Sequence, residues 1–263
     1  MVVPSPEILT PSFRLDGRVA LITGAGAGIG EAIATGFAEA GAETVLIGLS
    51  QSPLDDLAGR IEAAGLPRAR TFALDVCDTQ GVAAAIAGLP RLDILVNNAG
   101  TNVPEPFVDV SEENLDRILG LNVRAAFFVA QAAVRKMLED PQRAERGGAV
   151  INISSQMGHV GSPNRTAYCM SKHAVEGLTK AMAVELAPQR IRVNSIGPTF
   201  VDTPLIRRIV DTPEKHDFLV SKIPLGSMAS VRDMIGAAIY LASPAAAMVT
   251  GTCLLVDGGW TAQ

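Results

Sequence analysis

Thr23-Gly24-Ala25-Gly26-Ala27-Gly28-Ile29-Gly30 follows a short apolar run at 19–23 and leads into an Ala-rich segment that Gly41 stops. The order is that of a buried strand, a glycine turn and a helix over 28–40, with Gly41 as its C-terminal cap. Glycines let backbone N–H groups approach a pyrophosphate, and the helix N-terminus adds partial positive charge. The register is Gly24-x-x-x-Gly28-x-Gly30; the commoner G-x-G-x-x-G would need glycine where Ile29 stands. A strand before and a helix after favour a phosphate cradle over a turn that serves packing alone.

A dinucleotide site of this kind usually has an acidic residue at the end of the second strand, which holds the ribose 2′-OH and repels a 2′-phosphate. Here that strand ends Ile47-Gly48-Leu49-Ser50, with neither a carboxylate nor an Arg or Lys. Ser50 can hydrogen-bond either ribose form, so the expected cofactor is NAD or NADP.

Further strands are predicted at 44–47, 70–74, 92–97, 150–154, 191–196 and 253–256. A helix starts at Ser52-Pro53. Long helices span 111–138, broken near Leu119-Gly120, and 166–186. Unalternating apolar runs separated by helices predict a parallel sheet covered on both faces. The fold class is therefore α/β, one doubly wound Rossmann-like domain over 15–263 behind an N-terminal extension, 1–14. Four prolines in 198–224 suit a flexible flap over a site.

With 263 residues the chain can bury a core without disulfide or metal. Its 48% hydrophobic and 19% charged residues exclude a disordered chain. The net charge of −5 and the absence of a Lys/Arg run argue against a nucleic-acid partner. Charges, Gly and Pro interrupt the apolar stretches, so no membrane partner is expected. Residues 1–12 hold three prolines and lack the features of a signal peptide. Cys77, Cys169 and Cys253 stand singly, which fits a reducing compartment, and the expected location is cytoplasmic. His159, His173 and His216 show no metal-ligand spacing, so no metal site is predicted.

Five landmarks occur in order: the 23–30 turn, Asn97-Asn98-Ala99-Gly100, Asn122, Ser155, and Tyr168-Cys169-Met170-Ser171-Lys172. Ser155 and Tyr168 are 13 residues apart. On these residues the chain, from about 15 to 259, resembles the short-chain dehydrogenase/reductase family. The resemblance implies a seven-stranded parallel sheet, a nicotinamide cofactor, and hydride transfer between an alcohol and a carbonyl. It places Gly24, Gly28, Ile29 and Gly30 at the pyrophosphate, and Asp75 and Val76 beside the adenine. Asn98, Ala99 and Gly100 fall at the adenosine ribose, and Thr203 at the nicotinamide carboxamide. A homo-oligomer, tetramer or dimer, is expected. Two departures stand out: Pro198 is followed by Thr199 rather than glycine, and the segment after Asp75 is short.

The implied chemistry is physically reasonable. Tyr168 and Lys172 lie four apart on a helix and share a face. A free tyrosine has a pKa near about 10, and a neighbouring ammonium favours its phenolate. Tyr168 would pass the proton as general acid/base, Ser155 would orient the substrate oxygen, and Asn122 would hold a water linking Lys172 to solvent. Tyr168 and Lys172 would also touch the cofactor. Gln156, His159, Asn164 and Arg165 are candidates to bind substrate hydroxyls, which leans toward a small polar, sugar-like or polyol-like secondary alcohol. The alternatives are a 3-oxoacyl-(acyl-carrier-protein) reductase docking its carrier near Arg207-Arg208, and a cofactor sensor without chemistry. Keeping Ser155, Tyr168 and Lys172 together argues against a sensor, and enoyl-reducing relatives space Tyr and Lys more widely.

Overall fold

The computed structural model describes residues 10–263. Most of the predicted N-terminal extension lies outside the described residues. Its described end is tied to the domain: Ser12 O accepts from Ala245 N at 3.2 Å, and Arg14 Nη1 donates to Glu39 O at 3.0 Å.

Seven strands form one parallel sheet: β1 (Val19–Thr23), β2 (Glu43–Gly48), β3 (Ala69–Ala73), β4 (Ile94–Asn97), β5 (Gly148–Ile153), β6 (Ile191–Pro198) and β7 (Cys253–Val256). Their order is β3-β2-β1-β4-β5-β6-β7, so the chain reverses its winding between β1 and β4. All the predicted strands are present, with bounds moved by up to two residues.

Helices cover both faces. α1 (Gly28–Glu39), α2 (Gln51–Ala63) and α3 (Thr79–Ala87) follow the first three strands, and α3 is short, as expected. α1 ends in a hydrogen-bonded cap: Gly41 N donates to Ala38 O and Ala42 N to Phe37 O, both at 2.9 Å, with Gly41 at φ +104°. Ile33, Ala34 and Phe37 of α1 pack with Ala20 and Ile22 on one sheet face. Leu21 and Val19 point to the other face, against Val82 and Ile86 of α3. Strands buried on both faces explain the unalternating apolar runs.

The segment predicted as a broken helix over 111–138 is continuous. α4 (Glu112–Leu119) passes through a π-helical turn, Gly120–Ala125, into α5 (Ala126–Leu138). The extra residue in that turn rotates Asn122 inward, where it is 2% exposed. This run has the length and mean hydropathy (1.3) of a membrane span, against the expectation that none would occur. Its apolar side, including Val129, Ala133 and Met137, is laid on the sheet. α6 (Arg143–Arg146) precedes β5, and α7 (Thr166–Leu186) precedes β6. The predicted flap holds α8 (Pro204–Ile209) and α9 (Pro213–Val220), and α10 (Asp233–Ala242) packs beside α1.

Two glycines test this architecture. A Cβ on Gly30 would lie 2.3 Å from Gly24 O, a backbone atom that cannot yield, whereas one on Gly59 in exposed α2 would meet nothing within 4 Å. Gly30→Ala is expected to lower stability by about 1–3 kcal/mol. Gly59→Ala is expected to raise it by about 0.5–1 kcal/mol through helix propensity. Denaturant unfolding checks both signs.

Candidate active site

The C-terminal ends of β1 and β4 diverge at the switch point, where open α/β sheets bind ligands. A cleft of about 290 Å³ lies there. Gly24 and Gly28, at φ +64° and +62°, bring their backbone to its floor. The cap residue of α1 is Ala27, which has no polar side-chain atom to occupy the first-turn N–H groups. A helix N-terminus whose N–H groups are not capped by a side chain fits a dinucleotide pyrophosphate.

The other predicted cofactor residues divide. Ile29, Asn98, Ala99, Gly100 and Thr203 line the cleft. Gly30 lies beneath the turn, under Gly24 O, and serves its close packing on α1 rather than facing the cleft. Ser50, Asp75 and Val76 lie outside the enclosed part, just beyond β2 and β3. Ser50 is exposed, Asp75 Oδ1 accepts from Cys77 N at 2.9 Å, and Val76 packs in the core. Thr203 caps α8 through Ile206 N, and its Cγ2 would be 3.3 Å from a Cβ on Gly28. The flap thus rests on the glycine turn.

Ser155, Tyr168 and Lys172 meet on the cleft wall. Ser155 follows β5, and the first two turns of α7 carry the other two. Ser155 Oγ accepts from Met157 N at 3.1 Å and favours the Tyr168 phenolate, and Lys172 Nζ is 5.6 Å from the Tyr168 ring centre. Lys172 is buried and donates to Ile153 O at 2.8 Å. Burial pushes the Tyr168 phenol up to about 12, although one side of its ring faces the cleft; Ser155 and the Arg165 charge oppose this shift. Burial also lowers Lys172 to about 8, partly offset by the Glu176 carboxylate. The expected depression of Tyr168 is therefore not seen in the protein alone, because its desolvation outweighs the Ser155 hydroxyl and the Arg165 charge that oppose it.

Asn122 is buried, with its side-chain amide engaged by the protein. Its Oδ1 accepts from Thr101 N at 2.8 Å, and its Nδ2 donates to Thr101 O at 2.9 Å and Ser171 Oγ at 3.0 Å. The amide fastens the strand after β4 to α7 and so positions the lysine. Among the substrate candidates, Gln156 is 1% exposed with both amide atoms unpartnered, and Arg165 is half-buried with its Nε unpartnered. Asn164 occupies a left-handed turn position (φ +58°) and is exposed, with its carbonyl accepting from Glu105 N. His159 faces Glu176 at 3.7 Å. His173 turns back to Cys169 O, and His216 sits beside Asp217 on the surface.

Sequence reasoning missed Asn102, Ser154 and Thr199. All three line the cleft with a buried oxygen that has no protein partner. Thr199 was the one with a visible signal, as a departure after Pro198. It also missed that folding brings His159, Glu176 and Cys253 together, with their ligand atoms within 4.8 Å of one another.

A family profile described as enoyl-(acyl carrier protein) reductase matches residues 24–261. The chain is 38% identical to the L-xylulose reductase of Bos taurus over 252 residues, 95% of this chain and 99% of that one. It is 40% identical to the D-threitol dehydrogenase of Mycolicibacterium smegmatis over 255 residues, 95% of each. A gluconate 5-dehydrogenase from Burkholderia cenocepacia, solved with NADP and tartrate, superposes with a TM-score of 0.89 at 38% identity, covering 95% of this chain and 98% of that one. A doubly wound sheet with a dinucleotide cleft and a Ser-Tyr-Lys wall defines a nicotinamide-dependent oxidoreductase. The chain belongs to the short-chain dehydrogenase/reductase family, and its cofactor is NAD(P).

Two substitutions test the wall. Tyr168→Phe is expected to cut turnover by about 10²–10⁴-fold while leaving dinucleotide affinity near that of the wild type. Fluorescence titration and steady-state rates separate these effects, and a parallel loss of both would make Tyr168 a structural residue. For Lys172 the folded value lies below the 10.5 of an exposed side chain, so the unfolded chain holds more protons between about pH 8 and 10.5. Stability then rises with pH through that window. Lys172→Met is expected to remove about 1–3 kcal/mol of that rise. Parallel denaturation curves for the two proteins from pH 7 to 10.5 would contradict this.

Proposed function

We propose that the chain interconverts a polyol or sugar acid with the corresponding ketone. The carrying observation is the set of buried polar atoms without protein partners: Asn102 Oδ1, Ser154 Oγ, Thr199 Oγ1 and both amide atoms of Gln156. Such groups cost about 1–3 kcal/mol each unless a ligand pairs them. They gather at the ends of β4, β5 and β6, and a polyhydroxylated ligand has the donors and acceptors to satisfy them. The half-buried Arg165 guanidinium adds a partner for a carboxylate or hydroxyl.

When bound, the nicotinamide supplies or accepts the hydride. Ser155 and Tyr168 bind the substrate oxygen. A phenol near 12 keeps its proton at neutral pH, so Tyr168 donates it to the carbonyl oxygen in reduction. Lys172, at about 8, exchanges a proton more readily than an exposed lysine, and Asn122 holds it in place through Ser171. A carrier-protein ketone is less well supported, because Arg207 already forms a two-pronged pair with Asp202 at 2.7 and 2.9 Å. NAD and NADP both remain admissible: Gly48 offers no carboxylate, and Leu49 beside it is 77% exposed.

Exposed Phe127 and Phe128 on α5, with Met170 and Val184 on α7, support a homotetramer built through these helices. A monomer mass by light scattering would remove that reading. The three free cysteines support a reducing, cytoplasmic location, which a tagged chain imaged outside the cytoplasm would refute.

Rates of nicotinamide absorbance change with NAD⁺ and NADP⁺, across polyols, sugar acids, hydroxy acids and carrier-protein ketones, test the substrate class. Turnover confined to carrier-protein ketones would overturn it. Gln156→Met is expected to raise stability by about 1–3 kcal/mol and to raise KM for the polyol about tenfold. Gain of stability without a change in KM would remove Gln156 from the substrate site.

A further inference from the structure

We propose that His159, Glu176 and Cys253 bind a thiophilic divalent cation, Zn²⁺ foremost, one helical turn from Lys172. The ligand atoms lie within 4.8 Å of one another, with His159 Nε2 at 3.7 Å from Glu176 Oε1. One nitrogen, one carboxylate and one thiolate leave a fourth tetrahedral position for water, the arrangement of open zinc sites. In a tetrahedral site with Zn–S near 2.3 Å and Zn–N near 2.0 Å, the N and S ligands are about 3.5 Å apart. From a separation of 4.8 Å the nitrogen and sulfur would need to close by about 1.3 Å at most. His159, 32% exposed, gives solvent access to the otherwise buried pair.

The fold brings these residues together. Cys253 on β7 pairs in register with Ser195 on β6, and both side chains interact with Glu176 on α7. A Cβ on Gly197 would come within 3.0 Å of the Cys253 sulfur, so glycine there makes room for it. A Cβ on Gly158 would stand 3.2 Å from Glu176 Cγ. Glycine therefore lets the turn after Ser155 lie on α7 and deliver His159 above the carboxylate.

Charge favours the same occupant. Glu176 is 5% exposed, and its two oxygens share one donor, the Ser195 hydroxyl, at 3.0 and 2.9 Å. One O–H cannot satisfy both oxygens of a buried carboxylate. The neighbouring Lys172 ammonium is directed at Ile153 O. The Cys253 thiol lies within 4.8 Å of the His159 and Glu176 ligand atoms. Cation uptake then forms the S–metal bond, breaks the S–H bond and releases one proton to solvent, with no change of oxidation state.

Binding would also act on the chemistry, a consequence that rests on the catalytic part proposed for Lys172. Glu176 helps to keep Lys172 protonated. A dication on that carboxylate reverses the sign of the local charge and opposes the ammonium, so turnover should fall as the site fills.

Co²⁺ titration of the metal-free protein, read by absorbance, is the test. The expected result is thiolate-to-Co²⁺ charge-transfer and tetrahedral ligand-field bands saturating at one equivalent, displaced by Zn²⁺, with about one proton released per ion. Cys253→Ser and His159→Asn should each abolish the bands, and Cys77→Ser should keep them. His159 is exposed, so its variant is informative even if Cys253→Ser folds poorly. No charge-transfer band, or one that survives Cys253→Ser, overturns the site. Bands as expected with turnover unchanged at full occupancy would keep the site and overturn its coupling to Lys172. That outcome is distinct from failure of the polyol reading, which the substrate panel decides without added metal.

Discussion

Thr23 and Asn98 hold the two halves of the sheet at the point where they part. Thr23 is completely buried, and its Oγ1 accepts from Asn98 N at 2.9 Å and Ala99 N at 3.0 Å. Asn98 Nδ2 returns to Thr23 O at 2.9 Å and Gly24 O at 3.3 Å. β1 and β4 pair only as far as Ile22 with Val96, and beyond that these side-chain bonds replace the ladder. The backbone amides that would have continued the sheet are satisfied, so the cleft can open without orphaned groups. The glycine turn leaves one side of this clamp and the Asn-Ala-Gly segment the other. The cradle and the ribose-side residues are thereby fixed relative to each other.

The opposite wall depends on a polar seam under α7. Ser171, Lys172, Glu176 and Thr179 are all buried, and their partners lie on three elements, the π-helical turn, β5 and β6. Ser171 meets Asn122, Lys172 meets Ile153 O, Glu176 meets Ser195, and Thr179 Oγ1 accepts from Asn152 Nδ2 at 2.9 Å. An apolar seam would tolerate sliding of the helix by small amounts. Directional bonds spaced along two turns do not, because a slip would leave several buried polar groups unpaired at once. The seam therefore sets the axial position of α7, and Tyr168, one turn toward its N-terminus, is placed against Ser155 by the same bonds.

Local patterns made the frame legible. The inner strands are buried on both faces and read as apolar runs, Gly41 marks a helix end through its φ, and a spacing of four puts Tyr168 and Lys172 on one face whatever surrounds them. What stayed hidden depends on neighbours distant in sequence. Burial of Tyr168 and Lys172 decides their pKa values, and that burial is set by β5, the Ser155 turn and the flap. Asn122 stands among the landmarks, but its bonds to Thr101 and Ser171 appear only once the π-turn rotates it inward. The break expected at Leu119-Gly120 registered the irregularity but not its form, since nothing local distinguishes an inserted residue from an ended helix.

The same distinction explains why reaction class was readable and substrate was not. Proton and hydride transfer need a few groups on rigid elements, and those elements advertise themselves in short motifs. Recognition of hydroxyls uses single atoms at strand ends, Asn102, Ser154 and Thr199, whose meaning lies in having no partner within the protein. Such a vacancy has no sequence pattern, because a serine or threonine after a strand is usually bonded to its own backbone. Only the folded chain shows that these oxygens are buried and unpaired, on residues that line one cleft. The folded protein bears the cost of leaving them unpaired, and a ligand that satisfies them recovers that free energy as affinity and orientation.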